Sequence, residues 1–301
     1  MSESKPVTLQ SVSNPTIRHL VRMRDNRARR KAGRVIVDGW RETAQALEAD
    51  LNLCGLYLPE SEWARSDFDK STIGRDPEIQ RVLEHPSVLE KTTCVSDQIM
   101  GKISYGQSIR GVVAEFEQPT RTLDQLDLPR APIILVLDRI EKPGNIGAVF
   151  RCADAAGIDA VLLCESNDLF NPNAIRSSLG CVFHVRSASG TESQVKQFLI
   201  DRGIRVMAAR VESSTPAWSA NFEGSIAIIL GSESQGLGDR WQNIGNDRVE
   251  GVRIPMCGKV DSLNVSVSAA VIAFEAMRRR ETARIDGTNT TATTGNTVTP
   301  V

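Results

Sequence analysis

The sequence predicts an α/β protein of two domains, with an open parallel sheet in the C-terminal one. Short apolar runs alternate with amphipathic segments, and continuous apolar runs are typical of parallel strands covered on both faces. Three glycine-bearing loops near the C-terminus each follow such a run, as in an open sheet whose loops build one ligand site. A length of 301 residues agrees with about two domains.

The N-terminal domain is assigned to residues 1–116 and follows a polar start that we expect to be mobile. Ser13 and Asn14 suit a helix N-cap and Pro15 suits the first turn, so a helix is predicted from there to a break at Gly33. Strands and helices then alternate, which indicates a small α/β domain. The predicted elements are strand 34–37, helix 40–50, strand 53–58, helix 77–84 and strand 111–116.

Residues 117–131 contain two prolines and little periodicity, and they are interpreted as a linker to a second α/β domain at residues 132–280. Its strands are predicted at 133–137, 160–163, 182–185, 205–208, 226–230 and 252–254. Its helices are predicted at 147–156, 171–178, 191–202 and 264–280. Residues 281–301 are rich in Thr and Asn. We expect this tail to be disordered, because it cannot bury enough apolar surface to offset its ordering entropy.

The last predicted helix has an apolar face formed by Val267, Val271, Phe274 and Met277. Small residues at 266–270 allow close packing against another helix. That packing partner could belong to the same subunit or to a second copy in a homodimer, and the sequence leaves both open.

Composition excludes several classes of protein. Lys and Arg number 36 against 37 Asp and Glu, so a globally basic nucleic-acid binder is not indicated, although a local basic patch stays open. No two of the six cysteines have C-x-x-C spacing and no histidine is placed so as to suggest a metal finger, so we expect reduced thiols and no metal. The first ten residues lack the apolar region typical of a signal peptide, and no apolar run approaches the length needed to span a bilayer. We therefore expect a soluble, cytoplasmic protein with no membrane partner.

The first glycine-bearing loop contains Asn145 and Gly147, with Arg151 one helical turn further on. Gly147 lets the backbone approach a ligand, Asn145 can bind an anionic or hydroxylic group, and the Arg151 guanidinium can reach back to the loop. The pattern is neither the G-x-G-x-x-G dinucleotide fingerprint nor a Walker loop. The alternative is an ordinary strand-to-helix turn with Arg151 in a surface ion pair.

The second loop places Glu233 between Gly231 and Gly236. Glu233 can bind a ribose hydroxyl, pair with an arginine or act as a base, and the alternative is a solvated acid in a glycine turn. The loop fails the G-x-S-x-G pattern of serine hydrolases. In the third loop, at residues 254–268, Ser262 and Asn264 can cap the last helix, which is the structural alternative to a functional role.

Together, the three loops resemble the motifs of the SpoU (TrmH-type) RNA ribose 2′-O-methyltransferases of the SPOUT superfamily. They match N-x-G-x-x-x-R, G-x-E-x-x-G-L and I-P-M-x-G-x-x-x-S-L-N-V-S-V in that order, within residues 133–280. The segment from Ser13 through Trp40 and the helix after it resembles, more loosely, the small substrate-binding domain of many family members. Asp38 stands there where Glu is frequent.

The resemblance implies a fold, a cofactor and an assembly. The C-terminal sheet would be threaded into a deep trefoil knot, an exception to the rule that chains are unknotted. The cofactor would be S-adenosylmethionine, and the family is usually homodimeric, so that Arg151 of one subunit could act at the cofactor of the other. The residues expected to bind the cofactor are Leu230, Gly231, Gly236, Ile254, Met256, Ser262, Leu263 and Asn264.

The implied reaction is methyl transfer to a ribose 2′-hydroxyl of RNA, with Arg151, Asn145, Glu233 and Asn264 as catalytic residues. Because the pKa of a guanidinium exceeds about 12, we expect Arg151 to position the hydroxyl and its phosphate rather than to act as a base. Asn145 would orient Arg151 or the ribose. Glu233 would hold the first loop or Arg151 in place, and Ser262 and Asn264 would frame the cofactor loop.

In this context the first predicted helix becomes a candidate RNA contact through phosphates, which give affinity without sequence readout. Its cations face a single acid, Asp25, over the same span. A solvated charged face is the alternative. The candidate RNA-binding residues are Arg18, Arg22, Arg27, Arg29, Arg30 and Lys31.

Two other functions stay open at this point. One is a non-catalytic RNA-binding or ribosome-assembly protein on the same fold, and the other is a methyltransferase that acts on a base. The intact motifs argue against the first, and the N-x-G-x-x-x-R motif favours ribose over base. The additional N-terminal domain favours ribosomal RNA over transfer RNA as the substrate.

Overall fold

The computed structural model describes residues 8–65, 76–105, 111–165, 168–212, 214–232 and 236–293. The chain forms an N-terminal unit of residues 1–120 and 168–184, and a C-terminal unit of residues 121–167 and 185–301. Residues 168–184, predicted within the C-terminal domain, therefore fold with the N-terminal unit. The helix at Pro172–Ser177 packs on the strand at Arg34–Asp38 of that unit, and local sequence periodicity does not predict such a tertiary contact.

The strands, in chain order, are β1 (Thr8–Leu9), β2 (Arg34–Asp38), β3 (Leu53–Pro59), β4 (Thr92–Val95), β5 (Val113–Glu117), β6 (Ile133–Asp138), β7 (Ala160–Cys164), β8 (Ser187–Gly190), β9 (Arg205–Ala209), β10 (Ser214–Pro216), β11 (Ile226–Leu230), β12 (Asn243–Ile244), β13 (Asp247–Arg248) and β14 (Glu250–Arg253). The α-helices are α1 (Pro15–Arg22), α2 (Asn26–Ala32), α3 (Trp40–Glu48), α4 (Glu60–Arg65), α5 (Pro77–Glu84), α6 (Asp97–Ile103), α7 (Pro143–Ala155), α8 (Pro172–Ser177), α9 (Glu192–Asp201) and α10 (Val265–Thr293). Single 3-10 turns lie at Leu89–Lys91 and Ala217–Ser219.

The sheet of the N-terminal unit has the strand order β1-β4-β3-β5-β2. Strand β5 runs antiparallel to β2 and β3, whereas β4 pairs in parallel with β1 and β3. Ile17 and Leu20 of α1 pack with Ile99 and Met100 of α6 in one apolar cluster against this sheet. The helix predicted at 77–84 is confirmed as α5, while β4 and α6 were missed because their segments are short and weakly patterned.

The basic N-terminal segment forms two helices rather than the single helix predicted. The Asp25 carboxylate accepts a hydrogen bond of 2.8 Å from the backbone N–H of Ala28, so it caps a new helix after α1 has ended. Gly33, at φ +60°, ends α2 in the left-handed conformation and thus forms the predicted break.

Arg29 is buried, with 2% of its surface exposed, which corrects its prediction as an RNA contact. Its guanidinium donates to the carbonyls of Met23 at 2.9 Å and Arg24 at 3.0 Å, and to the Asp168 carboxylate at 2.8 Å. The side chain therefore fastens the turn between α1 and α2 to the 168–184 segment, and it is not available to a phosphate.

The C-terminal unit contains a seven-stranded sheet of order β10-β14-β9-β11-β6-β7-β8, in which every neighbouring pair is parallel. Strand β11 lies between β6 and β9 and is buried along its whole length. The deep trefoil knot stays a prediction, because strand order does not by itself specify threading.

The strand predicted at 182–185 is wrong, since these residues form a turn and β8 begins at Ser187. Val182 and Phe183 are buried, and Phe183 stacks on Phe170 with ring centroids 6.3 Å apart. A short apolar run signals burial, and here the buried run belongs to a turn. The true strand was missed because Ser187–Gly190 contains no large apolar residue.

Residues 121–131, predicted as the main part of a linker, pack with the C-terminal unit. Leu126 is buried in the core of that unit, with Leu123 and Leu128 packed against it. The Arg121 guanidinium donates to the carbonyl of Val185 at 3.0 Å and to the Ser187 hydroxyl at 3.1 Å. Burial lowers the pKa of Arg121 from its usual value.

Helix α10 continues to Thr293, past the predicted end at residue 280, so residues 281–293 of the expected disordered tail are helical. Extension of an existing helix adds one hydrogen bond per residue without a new nucleation cost, and no proline interrupts the chain before residue 300. Residues 294–301 lie outside the described part of the chain.

The buried face of α10 consists of small and branched residues, including Ala269, Ile272, Ala273 and Ala276, and the main packing partner of this helix is α7. The larger apolar residues form a separate stripe that is exposed to between 40% and 46%. This exposed stripe consists of Val267, Val271, Phe274 and Met277. Within the described ranges, no helix has the length and apolarity that crossing a membrane would require.

Candidate functional site

A cavity of 1170 Å³ lies at the carboxyl ends of β9, β11 and β14. These three neighbouring parallel strands deliver their following loops to one edge of the sheet, which is where open α/β sheets bind ligands. The cavity gathers residues from two of the three glycine-bearing loops. Its walls include every residue predicted to bind the cofactor: Leu230, Gly231, Gly236, Ile254, Met256, Ser262, Leu263 and Asn264.

One wall of the cavity is made of closely packed backbone. A Cβ added to Gly231 would lie 2.5 Å from the carbonyl carbon of Gly236 and 2.8 Å from the nitrogen of Leu237. The N–H of Gly236 donates to the carbonyl of Ser232 at 2.9 Å, and Gly236 has φ +57°. Glycine at both positions is therefore required for the two sides of this loop to touch. Glu233 lies outside the described residues.

Asn264 joins the cavity to the first loop. Its side-chain oxygen Oδ1 accepts from the backbone N–H of Ser266 at 2.9 Å, which caps α10 as predicted, and its side-chain Nδ2 donates to Asn145 Oδ1 at 3.3 Å. The Ser262 hydroxyl instead donates to the Asp261 carboxylate at 3.2 Å and does not cap the helix. The structure thus brings Asn145 and Asn264, which are far apart in sequence, into direct contact.

Helix α7 begins at Pro143, four residues earlier than predicted, so Asn145 and Gly147 lie within its first turns rather than in a loop. Gly147 is buried, whereas Arg151 is exposed. The Arg151 side chain makes no hydrogen bond or ion pair with any described residue, and it is not among the residues that line the cavity. The surface ion pair considered as an alternative for Arg151 is therefore not formed with the described residues.

Sequence analysis missed the part of the cavity that follows β9. Ala209, Arg210, Val211 and Glu212 line it there, and Ser268 and Ile272 of α10 line it from the helix side. These residues carry no recognisable motif. Their position directly after an apolar strand that neighbours β11 was the available signal, and it becomes useful only once the strand order is known.

An ion network lies beside the cavity, at the ends of β6 and β7. The fully buried Asp138 carboxylate accepts from the Arg240 guanidinium at 3.0 Å. Burial, followed by the nearby Asp138 charge, raises the pKa of the Cys164 thiol to about 12. Cys164 is therefore a neutral thiol at physiological pH, and all six cysteines are free.

Comparison with known proteins places the chain among RNA-modifying enzymes. The model of the SpoU rRNA Methylase family matches residues 132–274, and that of the MRM3-like substrate binding domain matches residues 14–114. The 23S rRNA (guanosine-2′-O-)-methyltransferase RlmB of Vibrio vulnificus is 30% identical over 185 residues, which are 59% of this chain and 73% of the relative. The same enzyme of Ralstonia nicotianae is 34% identical over 57% of this chain and 70% of the relative.

Two solved structures of methyltransferases align with most of the chain. A crystal structure of an RNA 2′-O ribose methyltransferase has a TM-score of 0.75 and 34% identity, and the alignment covers 91% of this chain and 99% of that one. The SpoU methyltransferase AviRb from Streptomyces viridochromogenes, in complex with AdoMet, has a TM-score of 0.75 at 23% identity, covering 89% of this chain and 98% of that one. At that identity, the likeness to AviRb concerns the fold alone.

We expect Gly231→Ala to lower the free energy of unfolding of the C-terminal unit by about 1–3 kcal/mol, because its Cβ meets backbone that must move. Gly258→Ala is the matched control, since a Cβ there meets nothing within 4 Å and the change should stay within about 0.5 kcal/mol. Urea denaturation measures both variants. Equal stability of the two would contradict the tight backbone contact.

Proposed function

The chain belongs to the SpoU family of S-adenosylmethionine-dependent RNA methyltransferases, and from this premise we propose that it methylates a ribose 2′-hydroxyl of ribosomal RNA. The contact between Asn145 and Asn264 carries the proposal, because it connects the cavity to the helix that bears Arg151. The ribosomal substrate is supported by relatives that are named 23S rRNA methyltransferases. Such a substrate also supports the predicted cytoplasmic location.

The cavity fits S-adenosylmethionine in size and chemistry. Its volume of 1170 Å³ lies somewhat above the range of about 300–1,000 Å³ that is typical of ligand pockets, so the cavity has room for the cofactor. Backbone N–H and C=O groups at Leu230, Gly231 and Ile254 can bind the purine and ribose, and the acids Asp239 and Asp261 on its walls suit a cationic ligand. When bound, the cofactor supplies an electrophilic methyl group on a positively charged sulfur.

Transfer to a hydroxyl requires alignment of the oxygen with the methyl group and a route for the hydroxyl proton. The exposed Arg151 guanidinium can bind the ribose oxygen and an adjacent phosphate with two parallel N–H groups. Because it stays protonated, it stabilises the developing alkoxide without removing the proton itself, and the proton passes to solvent water, to which Arg151 is exposed. The hydrogen bond from Asn264 to Asn145 holds the start of α7 against the cavity, which sets the direction from which the ribose approaches.

The test combines two measurements on the full chain. Isothermal titration with S-adenosylmethionine measures cofactor binding, and incubation of unmodified ribosomal RNA with tritiated cofactor, followed by nucleoside analysis, identifies the product. Label in 2′-O-methylated nucleosides supports the proposal, whereas label in a methylated base would replace it with base methylation. Binding of RNA without any transfer would favour the non-catalytic alternative, and transfer only to transfer RNA would change the substrate class.

A second proposal concerns the RNA surface. Arg18 and Arg22 on α1 and Arg27, Arg30 and Lys31 on α2 are exposed, and none of them forms an ion pair with another described residue. With Arg29 buried, these five cations are the ones that can bind phosphates of the substrate. The match to a substrate binding domain over residues 14–114 supports this assignment.

A third proposal is a homodimer through α10. The exposed stripe places four large apolar side chains on one helix face, and a helix face of that kind is stabilised by a self-complementary copy across a two-fold axis. The action of Arg151 across such a dimer stays a prediction.

We expect Arg151→Ala to reduce methyl transfer by at least about 100-fold while the cofactor Kd stays within about threefold, because the side chain does not line the cavity. Titration calorimetry and single-turnover transfer measure the two effects separately. Full activity of this variant would refute the assigned role.

The triple variant Arg27→Ala/Arg30→Ala/Lys31→Ala should weaken ribosomal RNA binding and reduce the slope of log K against log salt by up to about 2, at about 0.7 per lost phosphate contact. The control, Arg41→Ala/Arg81→Ala, removes cations of the same unit that already pair with Glu78 and Glu48. Filter binding over a salt series gives the slopes. An unchanged slope in the triple variant would show that α2 does not contact phosphates.

Phe274→Glu should convert a dimer to monomers, because it places an uncompensated charge in the interface once per subunit, at a cost of about 3 kcal/mol or more. Ile200→Glu on α9 is the control, since Ile200 is 44% exposed and Phe274 is 42% exposed. Sedimentation equilibrium measures the mass of each. A wild-type monomer, or a dimer that survives Phe274→Glu, would contradict the proposed interface.

A further inference from the structure

The Arg240 guanidinium is shared among three carboxylates from three different elements. It lies 3.0 Å from Asp138 at the end of β6, 3.0 Å from Glu165 directly after β7, and 3.1 Å from Glu192 at the start of α9. Asp138 is completely buried, and the Arg240 side chain is only 22% exposed. Lys196 completes the network by pairing with Glu192 at 2.7 Å and donating to the Arg240 carbonyl.

Arg240 follows directly on the segment that walls the cavity. Gly236, Leu237, Gly238 and Asp239 all line the cavity, and two of these residues are glycines with positive φ. A backbone with two such glycines has many accessible conformations, so its position must be set by what holds its ends. Leu237 is buried in the core of the unit and supplies an apolar anchor, and the Arg240 network supplies a polar one.

Any displacement of the Gly236–Asp239 segment would be transmitted directly to the opposite side of the loop. The space beside Gly231 is so small that a Cβ there would overlap the carbonyl of Gly236 at 2.6 Å. Gly236 and Gly231 are therefore coupled by direct backbone contact. Displacement at Arg240 would move Gly236 and, through it, Gly231 on the cavity wall.

We propose that Arg240 is a positioning residue for cofactor binding, because it holds the Gly236–Asp239 wall of the cavity against the carboxyl ends of β6 and β7. It acts through backbone and touches no ligand itself. The inference rests on the proposed placement of S-adenosylmethionine in this cavity. Asp138 is its main partner, since this fully buried carboxylate lies 3.0 Å from Arg240 and 3.5 Å from the only other cation that pairs with it among the described residues, Arg139.

The test separates positioning from stability. Arg240→Met leaves Asp138 as a buried charge without its main partner, so this variant should lose thermal stability and also bind S-adenosylmethionine at least about tenfold more weakly. The double variant Asp138→Asn/Arg240→Met removes both charges, and it should recover most of the lost melting temperature because replacing both partners is nearly neutral. The Kd of the double variant for S-adenosylmethionine should stay above that of the wild type, because Arg240 no longer holds the Gly236–Asp239 wall in place.

Arg205→Met is the matched control. Arg205 lies on β9 of the same sheet, pairs with Glu250 at 2.9 Å and donates to the carbonyl of Asn221 at 2.6 Å, yet it does not line the cavity. It should bind the cofactor as the wild type does. Wild-type affinity in Arg240→Met, or recovery of both melting temperature and affinity in the double variant, would overturn the positioning role.

Ala209→Phe distinguishes this inference from the proposal on which it rests. Ala209 lines the cavity from β9, so the larger side chain should occupy the ligand space and abolish binding in the same titration. Unchanged binding by Ala209→Phe would show that the cofactor is held elsewhere, and the proposed function of the cavity would fail. Loss of binding by Ala209→Phe together with wild-type binding by Arg240→Met would overturn only the role of Arg240.

Discussion

The parallel pairing of β9 with β11 and β14 is the constraint on which the site depends. These ladders align the strands so that Ala208 lies opposite both Ile229 and Gly251, and all three strands leave the sheet at the same edge. The segment that follows each of these strands contributes one wall of the cavity, although the three segments are separated by twenty or more residues in sequence. The glycines allow the two sides of the loop after β11 to touch and so to form one of these walls. Without the ladders, the same motifs would be unrelated turns.

Sequence analysis could locate most of this site because its signals are local. An apolar strand that ends in Leu230 or near Ile254, followed by glycine, is visible in a single window, and so is the capping potential of Asn264. The strands predicted at 205–208 and 226–230 were confirmed for the same reason, as β9 and β11. The walls after β9 could not be predicted, because Ala209 and Glu212 matter only through strand order, which is a property of the whole sheet.

The incorrect sequence predictions share a physical cause: each depends on a tertiary contact that local sequence does not specify. Arg29 looks like its exposed neighbours in sequence, and only the proximity of Asp168 makes it a buried ion pair. The run at 182–185 is apolar because it is buried in a turn, not because it forms a strand. In α10, periodicity identified the large apolar residues correctly, yet the face that is buried, mainly against α7, is the one with small residues, since Ala273 and Ala276 permit a closer approach than Phe274. Periodicity reports that a face is apolar, and packing decides what covers it.

The assignment of residues 168–184 to the N-terminal unit makes both units discontinuous along the chain. Neither can be excised or transplanted as a single cassette of sequence. A chain truncated after residue 120 would leave the Arg29 guanidinium buried without its carboxylate, and a chain that started there would carry a segment whose packing surface had been removed. A chimaera joined after residue 120 would therefore take Arg29 from one parent and its partner position, residue 168, from the other. Such a chimaera keeps this ion pair only where the second parent also supplies a carboxylate at that position.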